Sequence, residues 1–95
     1  MNKKNIFDLI MLKFIDAYVD LNGEINLSVL TSLFSVHRTK ASKVISLYKQ
    51  QAPSNLRYDL SAKSYLKTLL FNKEFLSEDS FRYITAIELI FNSEQ

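Results

Sequence analysis

Apolar residues recur near the start of the chain at Ile6, Phe7, Ile10, Phe14, Ala17, Tyr18 and Leu21. Steps of three and four put them on one face of a helix over residues 5–21. Asn22-Gly23 closes that helix, because glycine takes the left-handed C-terminal cap without strain. A second strip, Leu9, Leu12, Ile15 and Val19, lies among Asp8, Asp16 and Asp20. It either packs on the last helix of the same chain or meets a second subunit.

A second helix begins after Asn26, a good N-cap residue, and carries Leu27, Leu30, Leu33 and Phe34 three or four apart. Phe34-Ser35-Val36 breaks it. A third helix starts about His37 or Arg38, with Ala41, Val44, Ile45 and Tyr48 on its apolar face, and Pro53-Ser54-Asn55 stops it. Residues 56–69 then change period. Leu56-Arg57-Tyr58-Asp59 and Ser64-Tyr65-Leu66-Lys67-Thr68 read as two strands around Ser61-Ala62-Lys63. With no glycine there, a loop longer than two residues is expected. A last helix over residues 77–92, with Glu78 and Asp79 in its first turn, presents Phe81, Ile84, Ile87 and Phe91 on one face. The fold class is mostly α with a β-hairpin wing: a single winged helix-turn-helix domain over residues 1–95, its helix-turn-helix at about 26–51 and a linker or dimerisation helix at its end.

Composition agrees. Apolar residues make up 47% of the chain and Gly and Pro occur once each, which excludes a disordered segment and favours helices over a turn-rich β fold. Cysteine is absent, so neither a disulfide framework nor a thiolate metal site can form. The apolar stretch after Met1-Asn2-Lys3-Lys4-Asn5 is interrupted by Asp8, Lys13, Asp16 and Asp20 and lacks a small-residue cleavage site, so it reads as a soluble amphipathic helix of a cytoplasmic protein.

The net charge of +2 hides a partition. Residues 27–70 hold seven bases (Arg38, Lys40, Lys43, Lys49, Arg57, Lys63 and Lys67) against Asp59 alone, whereas both flanking segments are net acidic. A basic middle between acidic ends presents one surface to a polyanion.

The apolar spacing of Leu30, Phe34, Val36, Ala41 and Ile45 is that of two short helices crossing over a tight turn, with small Ala41 at the crossing. This geometry presents the first turns of the second helix as a rigid edge that fits a major groove about 12 Å wide. From an N-cap at His37, the edge carries Arg38, Thr39, Ser42 and Lys43, beside His37 and Lys40. Arg can pair bidentately with guanine, Thr can touch a thymine methyl, and Lys can reach guanine or phosphate. Arg57, Lys63 and Lys67 on the hairpin, with Lys49, supply phosphate or minor-groove contacts. Tyr58 and Tyr65 are expected to pack on each other across the hairpin. His37, the sole histidine, caps the helix or contacts phosphate; it cannot assemble a zinc site alone.

Ile25-Asn26-Leu27, Leu30, Leu33-Phe34, Ala41-Ser42, Tyr48, Ala62-Lys63, Tyr65 and above all APSNLRYD at residues 52–59 carry a further signal. Over residues 10–76 the chain resembles the N-terminal winged-helix domain of WYL-domain transcription regulators, in particular the group that represses bacterial anti-phage defence loci. The resemblance implies a homodimeric repressor binding an inverted repeat in double-stranded DNA. Ser35 stands where the family commonly has Gly, and His37 where it has Ser. The WYL sensor domain is absent from these residues, which implies a stand-alone winged-helix protein or a fragment ending at the linker helix.

Paired acids such as Asp16 and Asp20, and the Glu74, Glu78, Asp79 group, read as solvated helix faces rather than catalytic or cation sites. No phosphate loop or nucleophile motif occurs. The reading is a non-enzymatic DNA-binding regulator without cofactor or metal and without membrane attachment, dimeric through its first and last helices. The alternative is a winged-helix adaptor that binds protein.

Overall fold

The computed structural model describes residues 3–91, and side chains from Ile6 onward. The elements run α1 (Lys3–Asn22), β1 (Glu24–Ile25), α2 (Leu27–Phe34), α3 (Arg38–Gln51), β2 (Leu56–Asp59), β3 (Ser64–Lys67) and α4 (Ser80–Phe91). Met1, Asn2, Glu94 and the expected helix end at position 92 lie outside the described residues.

The boundaries follow local chemistry. Gly23, at φ 82°, ends α1 and donates its N–H to Val19 O at 2.9 Å. The Asn26 carboxamide accepts from Val29 N at 3.2 Å and caps α2, as its residue type predicts. Ser35 stops α2 in the left-handed region, φ 55°. That explains why glycine suits this position: a β-carbon there costs roughly 1–2 kcal/mol. The last helix begins at Ser80, three residues later than the sequence pattern places it. The Asp79 carboxylate is its cap, accepting from Arg82 N at 2.9 Å, while the Lys73 ammonium holds Glu78 O at 2.7 Å outside the helix.

The hairpin forms as expected, with Tyr58 opposite Tyr65 and their ring centroids 4.8 Å apart. Its connection, residues 60–63, is the longer loop that the missing glycine requires, and Lys63 takes φ 53° within it. A third strand was not foreseen. Glu24 and Ile25 pair with Leu66 and Tyr65, giving the sheet order β1-β3-β2. Two residues are too few for a period to show.

One core joins all four helices to the sheet. Phe34 is its hinge: its ring lies 5.3 Å from that of Phe14, 5.9 Å from Phe7 and 4.8 Å from Phe91, so α1, α2 and α4 meet on it. Leu12, Ile15 and Val19 of the second strip on α1 are buried and Leu9 half-buried. The strip therefore serves packing within the chain, and the expected dimer contact through it is corrected. Two further corrections concern exposure. Phe81 faces outward on α4, 67% exposed, because Ser80, Ile84 and Ile87 take the inner face. The acids of α1 are not a solvated face. Asp16 is fully buried, and the Asp20 carboxylate accepts from Ser80 Oγ at 2.7 Å. An amphipathic pattern cannot distinguish a carboxylate in water from one that a later segment supplies with donors.

Candidate nucleic-acid interface

The helix-turn-helix is α2 and α3, joined by residues 35–37. Ala41 is fully buried at their crossing, with Val44, Ile45 and Tyr48 along the same inner face. The His37 ring caps α3, its Nδ1 accepting from Thr39 N at 3.4 Å, and Ala41 N donates to His37 O at 3.0 Å. Burial of one face decides the other. At 3.6 residues per turn, Arg38, Thr39, Ser42, Lys43, Ser46, Lys49 and Gln50 share the outer side of α3, and all are exposed.

Lys40 falls beyond that side. Its ammonium is taken by Asp8 on α1 at 2.5 Å, which ties the first turn of α3 to the core. Sequence spacing alone groups it with Arg38 and Thr39, since adjacent residues differ in direction only once the buried face is known.

The wing stands beside the exposed edge of α3. Asn26 and Ser28 at the start of α2, Arg38 at the start of α3, and Tyr58, Lys63 and Tyr65 of the hairpin line one cleft of about 440 Å³. It brings Arg38 and Lys63, 25 positions apart, onto a common surface. Lys49 lies 5.3 Å over the Tyr65 ring, a cation–π contact that links the last turns of α3 to the sheet. The other two hairpin cations are placed differently. Arg57 is exposed opposite Leu66, on the ribbon face away from the Tyr58–Tyr65 pair. Lys67 turns to the end of α1, donating to Asp20 O at 3.2 Å with the Asp20 carboxylate 3.8 Å away.

Spacing puts Ser46 on the exposed side of α3, where it lies; sequence reasoning missed Gln50, which continues that side, and Asn26 and Ser28, which line the cleft. Asn26 and Ser28 stand at the N-terminus of α2, and the positive end of a helix makes them neighbours for an anion.

This geometry, two short helices crossed at a small residue with a basic hairpin beside the outer one, meets an independent finding. The sequence profile of the BrxR transcriptional regulator winged helix-turn-helix domain matches residues 9–89. The chain belongs to that family. The chain is also similar to curated proteins. The DNA-binding transcriptional repressor CapW of Escherichia coli (strain KTE188) is 39% identical over 66 residues, covering 70% of this chain and 22% of that protein. CapW of Pseudomonas aeruginosa is 40% identical over 73 residues, covering 77% of this chain and 24% of that protein. CapW of Stenotrophomonas maltophilia is 34% identical over 77 residues, covering 81% and 26% respectively. The matched stretch thus spans about a quarter of the length of these CapW relatives. The stretch that the family profile matches, residues 9–89, contains the crossing of α2 and α3 and the hairpin. Among the described residues, no helix is long and apolar enough to cross a membrane.

Proposed function

We propose that this domain is a sequence-specific double-stranded DNA-binding transcriptional repressor that reads bases with α3 and holds phosphate with the wing. One observation carries the reading: Arg38 and Lys63 face the same cleft, at the head of an exposed edge that continues through Thr39, Ser42 and Lys43. The edge fits a major groove, where Arg38 and Lys43 reach guanine and Thr39 a thymine methyl. Lys63, at the turn of the hairpin, reaches the flanking backbone, and Arg57 and Lys49 add positive potential around it. The named CapW repressors support the same assignment.

The repressor acts as a homodimer on an inverted repeat, with two copies of α3 in successive major grooves about 34 Å apart. With the second strip of α1 buried, the dimer surface falls to α4, where Phe81 and Leu89 are 67% and 70% exposed. Repression follows from occupying DNA that polymerase needs.

Selection of bound sites from random duplex DNA tests the reading. The expected result is an enriched inverted repeat, with Arg38→Ala weakening the selected site by about 1–3 kcal/mol and relaxing one position of it. Absence of enrichment, together with a protein partner bound at Phe81 and Leu89, would instead identify a winged-helix adaptor.

A further inference from the structure

Three acids of α1 each tie another element to it, and Asp16 is the deepest. Its carboxylate is fully buried, and it is satisfied by hydrogen bonds from three donors. The Tyr48 hydroxyl donates to Oδ1 at 2.5 Å; the backbone N–H groups of Phe75 and Leu76 donate to Oδ2 at 2.5 and 2.9 Å. Donors of this kind are what a buried charge requires, and bonds to an ionised acceptor are about twice as strong as neutral ones.

Those donors come from two separate places. Tyr48 belongs to the third turn of α3; Phe75 and Leu76 belong to the strap that runs from the wing to α4. A second residue closes the circuit. Asn55, buried immediately before β2, donates its Nδ2 to Tyr48 Oη at 3.0 Å and to Asn72 O at 2.8 Å, and its Oδ1 accepts from Asn72 N at 3.1 Å. Its backbone continues the link, since Asn55 O accepts from Thr68 N at 3.2 Å at the far end of β3. The reading helix, the root of the wing and the strap therefore share one hydrogen-bonded cluster around a single carboxylate.

We propose that Asp16 is a positioning residue: through Tyr48 and Asn55 it sets the angle between α3 and the wing, and through strap 72–76 it makes that angle responsive to α4. Arg38 and Lys63 can serve one DNA site only while that angle holds, so the inference rests on the DNA-binding reading. A shift of α4 cannot reach the strap without stretching the bonds from Phe75 and Leu76 to Asp16 or those between Asn72 and Asn55. Either loss leaves a partner of Tyr48, the Asp16 carboxylate or the Asn55 carboxamide, short of its own bonds and free to shift, and Tyr48 with the register of α3 against the hairpin follows it. Buried networks behave as units of this kind because each unpaired member is costly.

The test uses the full chain as wild type, Asp16→Asn and Tyr48→Phe, the last keeping the ring and removing only the hydroxyl. Without DNA, amide hydrogen exchange is expected to quicken by about tenfold or more at Phe75, Leu76 and across β2 and β3, while α2 keeps its protection. A uniform rise throughout the domain, or one confined to Phe75 and Leu76, overturns the proposal. With DNA, both variants are expected to lose about tenfold or more in preference for the selected duplex over a scrambled one, while affinity for the scrambled duplex holds, because phosphate contacts carry that term. An unchanged preference in folded protein likewise overturns it. A wild-type protein without preference for any duplex overturns the DNA reading alone, and the exchange pattern then decides the coupling by itself. Should Asp16→Asn fail to fold, Tyr48→Phe carries both measurements.

Discussion

Lys40 in the first turn of α3 closes an ion pair of 2.5 Å with Asp8 on α1. Both side chains are about three-quarters buried, so the contact is held more firmly than a surface pair, which is worth about 0–1 kcal/mol. Two neighbouring cations thereby acquire different work: Lys40 braces the helix, and Arg38 faces outward. Lys40→Ala is expected to lower stability by about 1 kcal/mol in denaturant titration, with the order of preference among duplexes intact. Arg38→Ala is expected to leave the denaturation midpoint in place and change that order. A Lys40→Ala protein with wild-type stability and altered base preference would reverse the two assignments.

The left-handed Ser35 gives a stability prediction independent of DNA. Its φ of 55° places a β-carbon where glycine meets no obstruction, and its side chain is exposed. Ser35→Gly is expected to raise the unfolding free energy by about 0.5–1 kcal/mol, the relief of strain being partly offset by a freer unfolded chain. Thermal unfolding checks it. A lower midpoint would show that the serine contributes more than its strain takes away.

Lys63 and Lys67 separate the wing's contacts by salt dependence. Lys63 is free to meet phosphate from the turn of the hairpin, whereas Lys67 is held at Asp20. Each phosphate contact contributes about 0.9 to the slope of log affinity against log salt. Lys63→Ala is expected to flatten that slope by about one unit per wing and to weaken all duplexes alike. Lys67→Ala is expected to move it much less, and equal slopes for the two variants would contradict the placement.

Two phenols, Tyr48 buried and Tyr83 half-buried, set an alkaline limit. Burial, then the charge of Glu78, pushes Tyr83 up to about 12, and its hydroxyl donates to Ile10 O at 2.9 Å. Burial, then the hydrogen bond to the Asp16 carboxylate, raises Tyr48 further still. A phenol whose folded pKa lies above its unfolded value near 10 is favoured neutral in the fold. Its stabilisation is complete below pH about 10 and is lost as pH climbs from there through the folded value. Denaturation midpoints are expected to stay flat on this account up to pH 9 and to fall between about 10 and 12; Tyr83→Phe removes part of that fall. A midpoint level through pH 12 would refute the shielding of both groups from water.

Much of the fold was legible in the residues because local chemistry decides it. The caps at Asn26 and His37, the apolar face from Ala41 to Tyr48, the break at Ser35 and the Tyr58–Tyr65 pair act within a few positions of themselves. Periodicity therefore reported them. The outer edge of α3 was legible for the same reason, with Arg38, Thr39, Ser42 and Lys43 exposed where the spacing puts them.

Tertiary structure decided what each charge and each apolar strip is for. Asp8, Asp16 and Asp20 look alike in sequence, yet one holds Lys40, one gathers Tyr48 with the strap, and one takes Ser80 and draws in Lys67. The second strip of α1 became core, Phe81 became surface, and Glu24–Ile25 became a strand by pairing with residues some 40 positions away. A side chain's own type and spacing determine which face it occupies. Whether that face meets water, a cation or a buried donor depends on segments that only folding brings beside it.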